Sequence, residues 1–182
     1  ISNDPSFINQ FNEDPNSLIP IEWNVTPNSP EAQEVITAFR NLYFGGATTI
    51  TAAHSWGMTQ YVSDREFIFG CDKAARLHWN HQPLYNFRFS FTGAMNIGQI
   101  SFNLQQFPEA LHGDDIFYFL RIEPFPLPVE PNDPARAFQQ TYIRLWTNFF
   151  RFGNPTAILD NLVTVQWPRY TSNAEFMDLN LP

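Results

Sequence analysis

Leu84-Tyr-Asn-Phe-Arg-Phe-Ser-Phe91, LYNFRFSF, alternates bulky apolar with polar residues, so Tyr85, Phe87, Phe89 and Phe91 fall on one side of an extended chain. That spacing predicts a strand over 84–91 with an aromatic face turned to a core. Pro83 ends the helix expected before it. Ser63-Asp64-Arg65-Glu66 reads as a capping box that opens this helix, with Phe67, Cys71, Ala74, Ala75 and His78 as its apolar stripe. Further upstream, Ser29-Pro30-Glu31 joins a serine cap, a first-turn proline and an acid at the positive end of a helix. Val35, Phe39, Leu42 and Tyr43 follow at helical spacing, and Gly45-Gly46 stops the helix. Residues 1–28, rich in Asn, Pro, Asp and Ser, read as loop.

Downstream of the strand, residues 92–108 read as a mostly polar or flexible loop. Asp114 or Asp115 then stands where it would cap a short helix through Leu120. The Pro-rich stretch 123–134 reads as an internal loop ending in the helix start Asp133-Pro134. The helix after it carries Phe138, Tyr142, Leu145, Trp146, Phe149 and Phe150 on one side, and Gly153-Asn154-Pro155 terminates it. Val163–Trp167 and Glu175–Leu179 read as short strands. Helices interleaved with strands point to an α/β layer. One strong strand and two short ones would leave long unpaired edges, so the layer is not closed by these parts.

The chain has 182 residues and a hydrophobic content of 43%, enough for a packed core of ordinary domain size. Phenylalanine is unusually frequent at 19 residues, the aromatic runs at 87–91, 117–119 and 149–150 are read as core, and the 15 prolines favour many short elements over a few long ones. The net charge is −8, with Lys73 the single lysine, which excludes the basic stripe that nucleic acid or an anionic membrane surface requires. No apolar run reaches the ~18 residues of a bilayer span. The opening ISNDPSF lacks the charged start and apolar run of a signal peptide. Cys71 is the only cysteine, read as a buried structural thiol. Asn24-Val25-Thr26 is the one glycosylation sequon and gives slight support for secretion. His78 and His81 lie three apart but lack a third ligand at suitable spacing, so no metal is expected. His54 has no partner in sequence and is expected to be exposed.

Glu109-Ala-Leu-His-Gly-Asp-Asp-Ile-Phe-Tyr-Phe-Leu120 places His112 before two acids and an apolar run. Taken alone, His112 is either a turn residue or a proton-transfer group. Leu145-Trp-Thr-Asn-Phe149 with Gly153-Asn-Pro155, then Trp167-Pro168-Arg169-Tyr170, resembles the C-terminal region of the type-B carboxylesterases. That family includes cholinesterases and insect esterases, juvenile hormone esterases among them. His112-Gly113-Asp114-Asp115-Ile116 resembles the end of the family's G-x-x-H-x-x-[DE] segment, most closely that of the insect members. Tyr61–His78 is similar to the helix these enzymes carry before the strand at 84–91. Glu109 stands where the family usually has glycine, so this loop is expected to be shaped differently.

The resemblance implies an α/β-hydrolase fold and ester hydrolysis by a serine–histidine–acid triad, with His112 as the base that takes the serine proton and returns it to the departing alcohol. It implies no cofactor. Phe107 and Leu111, beside the histidine, are the implied walls of a substrate pocket. No G-x-S-x-G occurs in the chain, and none of its acids is followed by glycine, as the family's triad acid is. Residues 1–182 are therefore read as the C-terminal fragment of a single α/β-hydrolase domain. A separate N-terminal chain of the same precursor would complete the sheet and carry the serine and the acid. The expected substrate is a small hydrophobic ester, and the expected location is extracellular. The alternative is an inactive esterase-like binding, adhesion or ligand-carrier protein.

Overall fold

The computed structural model describes residues 5–104, 107–122 and 129–180. The chain divides into two compact units, Ile1–Ala74 and Ala75–Pro182. Residues 123–128 of the Pro-rich stretch lie outside the described residues.

In the first unit, α1 (Pro5–Glu13) occupies a segment that composition marks as loop. Its helix-forming signal is brief: Ile8 and Phe11, three apart, are both buried and anchor the helix to the unit's core. α2 (Pro30–Phe44) begins and ends as its sequence dictates. The Ser29 hydroxyl accepts the Ala32 amide, and Gly45 closes the helix in the left-handed region at φ +61°. Ala32, Ile36 and Phe44 carry its buried face, whereas Leu42 stands 70% exposed. α3 (Ser55–Ser63) starts eight residues before the expected capping box. Ser63 does not cap anything; its hydroxyl donates back to the Thr59 carbonyl within the helix. A π-helical turn, Asp64–Ile68, follows, with the Phe69 amide bonded to the Asp64 carbonyl, and α4 (Phe69–His78) continues from it.

That wide turn throws the helical stripe out of phase. Gly57, Met58 and Tyr61 are buried in α3, but Ala75 is the buried residue of α4. Phe67, Cys71, Ala74 and His78 are exposed, which corrects the expectation of a buried stripe and of a buried Cys71. His54 is half-buried, and its Nδ1 accepts the Thr51 amide at 3.1 Å in the turn before α3. The core of the first unit gathers Ile8, Phe11, Leu18, Ile36, Phe44, Ile50, Met58 and Tyr61. Tyr61 satisfies its buried hydroxyl on the Leu18 carbonyl at 2.7 Å.

In the second unit, β1 (Phe87–Phe89) pairs in parallel with β2 (Met177–Leu179), with Arg88 opposite Asp178. The regular strand is shorter than the alternating stretch. Backbone bonds from Tyr170 to Leu84 and from Phe91 to Leu179 nevertheless extend the pairing to both ends of 84–91. Parallel strands need a crossover, and the longest helix, α7 (Pro134–Phe152), lies between them in sequence. Asp133 caps it on the Ala135 amide, and Gly153 closes it at φ +64°. Phe138, Tyr142 and Leu145 of α7 pack with Phe91, Tyr118, Val163, Trp167 and Leu179 in one core, against which Tyr85, Phe87 and Phe89 also rest. Phe91 and Phe138 stack with ring centroids 4.2 Å apart.

Val163–Trp167 is not a strand. Asp160 captures the Leu162 and Val163 amides, and the Thr156 hydroxyl accepts the Trp167 amide, so these groups are unavailable to a ladder. The same two amides hold the Asp160 carboxyl below the usual carboxylate range. Among the described residues each strand has a single strand partner.

Candidate active site

The segment before His112 is built on α5 (Ile97–Ser101), a short helix inside what reads as a polar loop. Gln99 of this helix is buried, and its side-chain amide donates to the Glu109 carbonyl at 2.7 Å and to the Phe107 carbonyl at 3.3 Å. Glu109 takes no special backbone conformation. The non-glycine residues with positive φ among those described are Asn24, Asn28, Asn103 and Ala174. Its carboxylate extends instead to Arg88 on β1, 2.8 Å away, with both side chains half in solvent. The side chain at the family's glycine position is therefore accommodated by an ion pair with the strand.

His112 opens a turn, 112–115, that leads into α6 (Ile116–Phe119). The turn is closed by the Asp114 amide on the Leu111 carbonyl and the Ile116 amide on Gly113, and Gly113 adopts φ +87°, which glycine alone takes without strain. His112 is exposed, whereas Leu111 and Phe107 are half-buried.

The two acids that follow have separate fates. Asp115 sits at the N-cap of α6 in a helical conformation and makes no capping bond with its side chain. Its carboxylate lies instead against the Tyr142 hydroxyl. Asp114 is completely buried. One of its oxygens accepts the Gly98 amide at 2.7 Å; the other accepts the Leu111 amide at 2.8 Å and the Asn96 side-chain amide at 3.1 Å. Asn96 is buried too, and donates to the Phe91 carbonyl at the end of the β1 stretch. Its own oxygen accepts the Gly93 amide and the Tyr118 hydroxyl at 2.8 and 2.7 Å. Burial pushes the Tyr118 phenol well above its ordinary range, which keeps it the donor in this bond. Asn96, Gln99 and Asp114 escape sequence reading because their segment looks like flexible loop. The one visible signal is the pair of amide residues Asn96 and Gln99 on either side of Ile97-Gly98.

A cleft of about 380 Å³, counting its open mouth, lies between β1 and α7 and is walled by Phe87, Leu145, Trp146, Phe149 and Trp167. Phe107 and Leu111 are not among its lining residues. Asn24 belongs to the first unit, exposed in a left-handed conformation after a short 3-10 turn. His78 and His81 are both exposed, and among the described residues no three His, Cys, Asp or Glu side chains gather as a metal site.

The family model described as the carboxylesterase family matches residues 1–182. Esterase FE4 of Myzus persicae is 25% identical over 156 residues, a match covering 81% of this chain and 27% of that protein. A medium-chain fatty acyl-CoA hydrolase precursor of Anas platyrhynchos is 26% identical over 149 residues, covering 81% of this chain and 25% of that protein. The crystal structure of juvenile hormone esterase from Manduca sexta, with OTFP covalently attached, superposes with a TM-score of 0.71 at 22% identity. It covers 97% of this chain and 32% of that one, which identifies the fold as part of an α/β-hydrolase. The chain thus spans about a quarter of the length of these curated relatives.

Proposed function

Since the chain belongs to the carboxylesterase family, we propose that it is the histidine-bearing part of a serine ester hydrolase. His112 takes the proton of the nucleophilic serine as that hydroxyl attacks the ester carbonyl. It then passes the proton to the alcohol as the tetrahedral intermediate collapses, and repeats the exchange with water to release the acid. A neutral imidazole suits both transfers near neutral pH. The serine, the triad acid and the oxyanion-hole amides come from a separate N-terminal chain of the same precursor. That chain also adds strands to the layer begun by β1 and β2, so both units described here are portions of one α/β-hydrolase domain.

The observation that carries this reading is the arrangement at 111–114: an exposed imidazole on a turn whose backbone is bonded to a buried acid two residues later. Phe107 and Leu111, half-buried on the same loop, are assigned to the wall of the substrate pocket. With the aromatic surroundings and the ester and thioester substrates named for its relatives, they favour a small hydrophobic ester. Secretion and glycosylation at Asn24 fit its exposure and that of Thr26.

The test is covalent. In the assembled protein a fluorophosphonate should label a serine on the companion chain and none on this one. Replacing His112 with alanine should lower kcat by at least about a thousandfold while leaving the melting temperature close to that of the parent. Hydrolysis that survives the substitution would remove His112 from the chemistry.

A further inference from the structure

We propose that Asp114 is a positioning residue for His112, clamping the catalytic turn to α5 and, through Asn96, to the Phe91 carbonyl just beyond β1. The proposal rests on the reading of His112 as the base.

Asp114 is not a helix cap. Asp115 occupies the N-cap of α6, and Asp114 is buried one residue earlier with both oxygens directed at groups outside that helix. Burying a carboxyl group in a core is costly unless every lone pair that matters has a donor. Here three donors converge from three places: Leu111 just before the histidine, Gly98 in α5, and the Asn96 side chain. The Leu111 bond spans the histidine, so Asp114 closes a small ring of backbone around it. The Gly98 bond fixes that ring to a second element sixteen residues away. The Asn96 bond continues to the Phe91 carbonyl, giving an unbroken path from the turn to the strand.

The surroundings are shaped to admit this clamp. A Cβ at position 98 would stand 2.9 Å from the Asp114 oxygen, so glycine permits the close amide contact. Gly113, with its positive φ, lets the chain reverse between the exposed imidazole and the buried acid. Proton transfer between serine and histidine depends on reach and alignment, and displacements of a fraction of an ångström at the base are felt in the rate. An anchor between Leu111, just before the imidazole, and Asp114, two residues after it, holds its backbone without touching the reacting atoms.

Asp114→Asn tests the clamp in the assembled, hydrolytically active protein, with a p-nitrophenyl ester as substrate. The amide nitrogen must face one of the three donors, so at least one bond is lost. The expected result is a kcat about 10- to 100-fold lower with KM within about twofold, because alignment and not substrate binding is impaired. The acid limb of the pH profile should also move, since the imidazole sits in altered surroundings. Gly98→Ala keeps the carboxyl but pushes on it, and should give a smaller loss of the same kind; if Asp114→Asn fails to fold, this variant decides. A wild-type kcat and pH profile in the variants that fold overturns the proposal. So does a kcat that falls only with the folded fraction while the pH profile stays fixed. His112→Ala, run alongside, separates the two readings. If it retains turnover, the base assignment falls and the clamp with it. If it is inactive while Asp114→Asn behaves as wild type, only the clamp falls.

Discussion

A Cβ at position 57 would stand 1.8 Å from the carbonyl oxygen of Tyr43, so α3 meets the end of α2 at a distance that admits no side chain. Gly57→Ala should therefore force the two helices apart and destabilise the protein by about 1–3 kcal/mol, as overpacking typically does. Thermal or denaturant unfolding measures it, and an unchanged midpoint would mean the helices separate freely. Nothing in the sequence around Gly57 announces this contact, because its partner is a backbone atom fourteen residues earlier. Asp114 was hidden for a similar reason. Two adjacent acids before an apolar run have the appearance of a helix cap, and which of them is buried depends on the distant Gly98 amide. Glu109 shows the opposite case: a side chain that looks disruptive in sequence rests against Arg88 with its backbone unstrained.

Among the elements, α7 was legible at both ends, since its cap and stop, Asp133 and Gly153, are local; of its expected stripe Phe138, Tyr142 and Leu145 are buried, whereas Phe149 and Phe150 at the helix end are exposed. Asp133→Ala removes the acceptor of the Ala135 amide and should cost about 1 kcal/mol, seen as a lowered unfolding midpoint without loss of helix content at low temperature. Two elements were misread because side chains or an irregular turn intervene. Asp160 and Thr156 bond the amides that would make 163–167 a strand. The π-turn at Asp64–Ile68 shifts the phase of the helix after it, so a stripe counted at regular spacing lands in solvent. Periodicity reports a face only while the helical pitch is constant.

For the whole molecule, buried phenols link stability to alkaline pH. Burial raises Tyr43, Tyr61 and Tyr118 above the ordinary value, and pushes Tyr142 up to about 12. A raised folded-state pKa means that the unfolded chain loses its phenolic proton first. Stability is then full below the ordinary value of 10.0 and declines as pH climbs towards the folded value of about 12 for Tyr142. Unfolding should accordingly set in over that window, and Tyr142→Phe should move its midpoint to higher pH; a midpoint that does not respond would assign the transition to other groups. The α/β class follows from features that single elements carry. The division into two units does not, since it depends on contacts between residues far apart in sequence.

The short β1–β2 sheet has a consequence for anyone producing residues 1–182 by themselves. Among the described residues each strand has a strand partner on one flank only, and a second molecule presents the same open flank. Overexpressed alone, the polypeptide should collect in inclusion bodies and stain with thioflavin. Co-expression with the proposed N-terminal chain should return it to the supernatant.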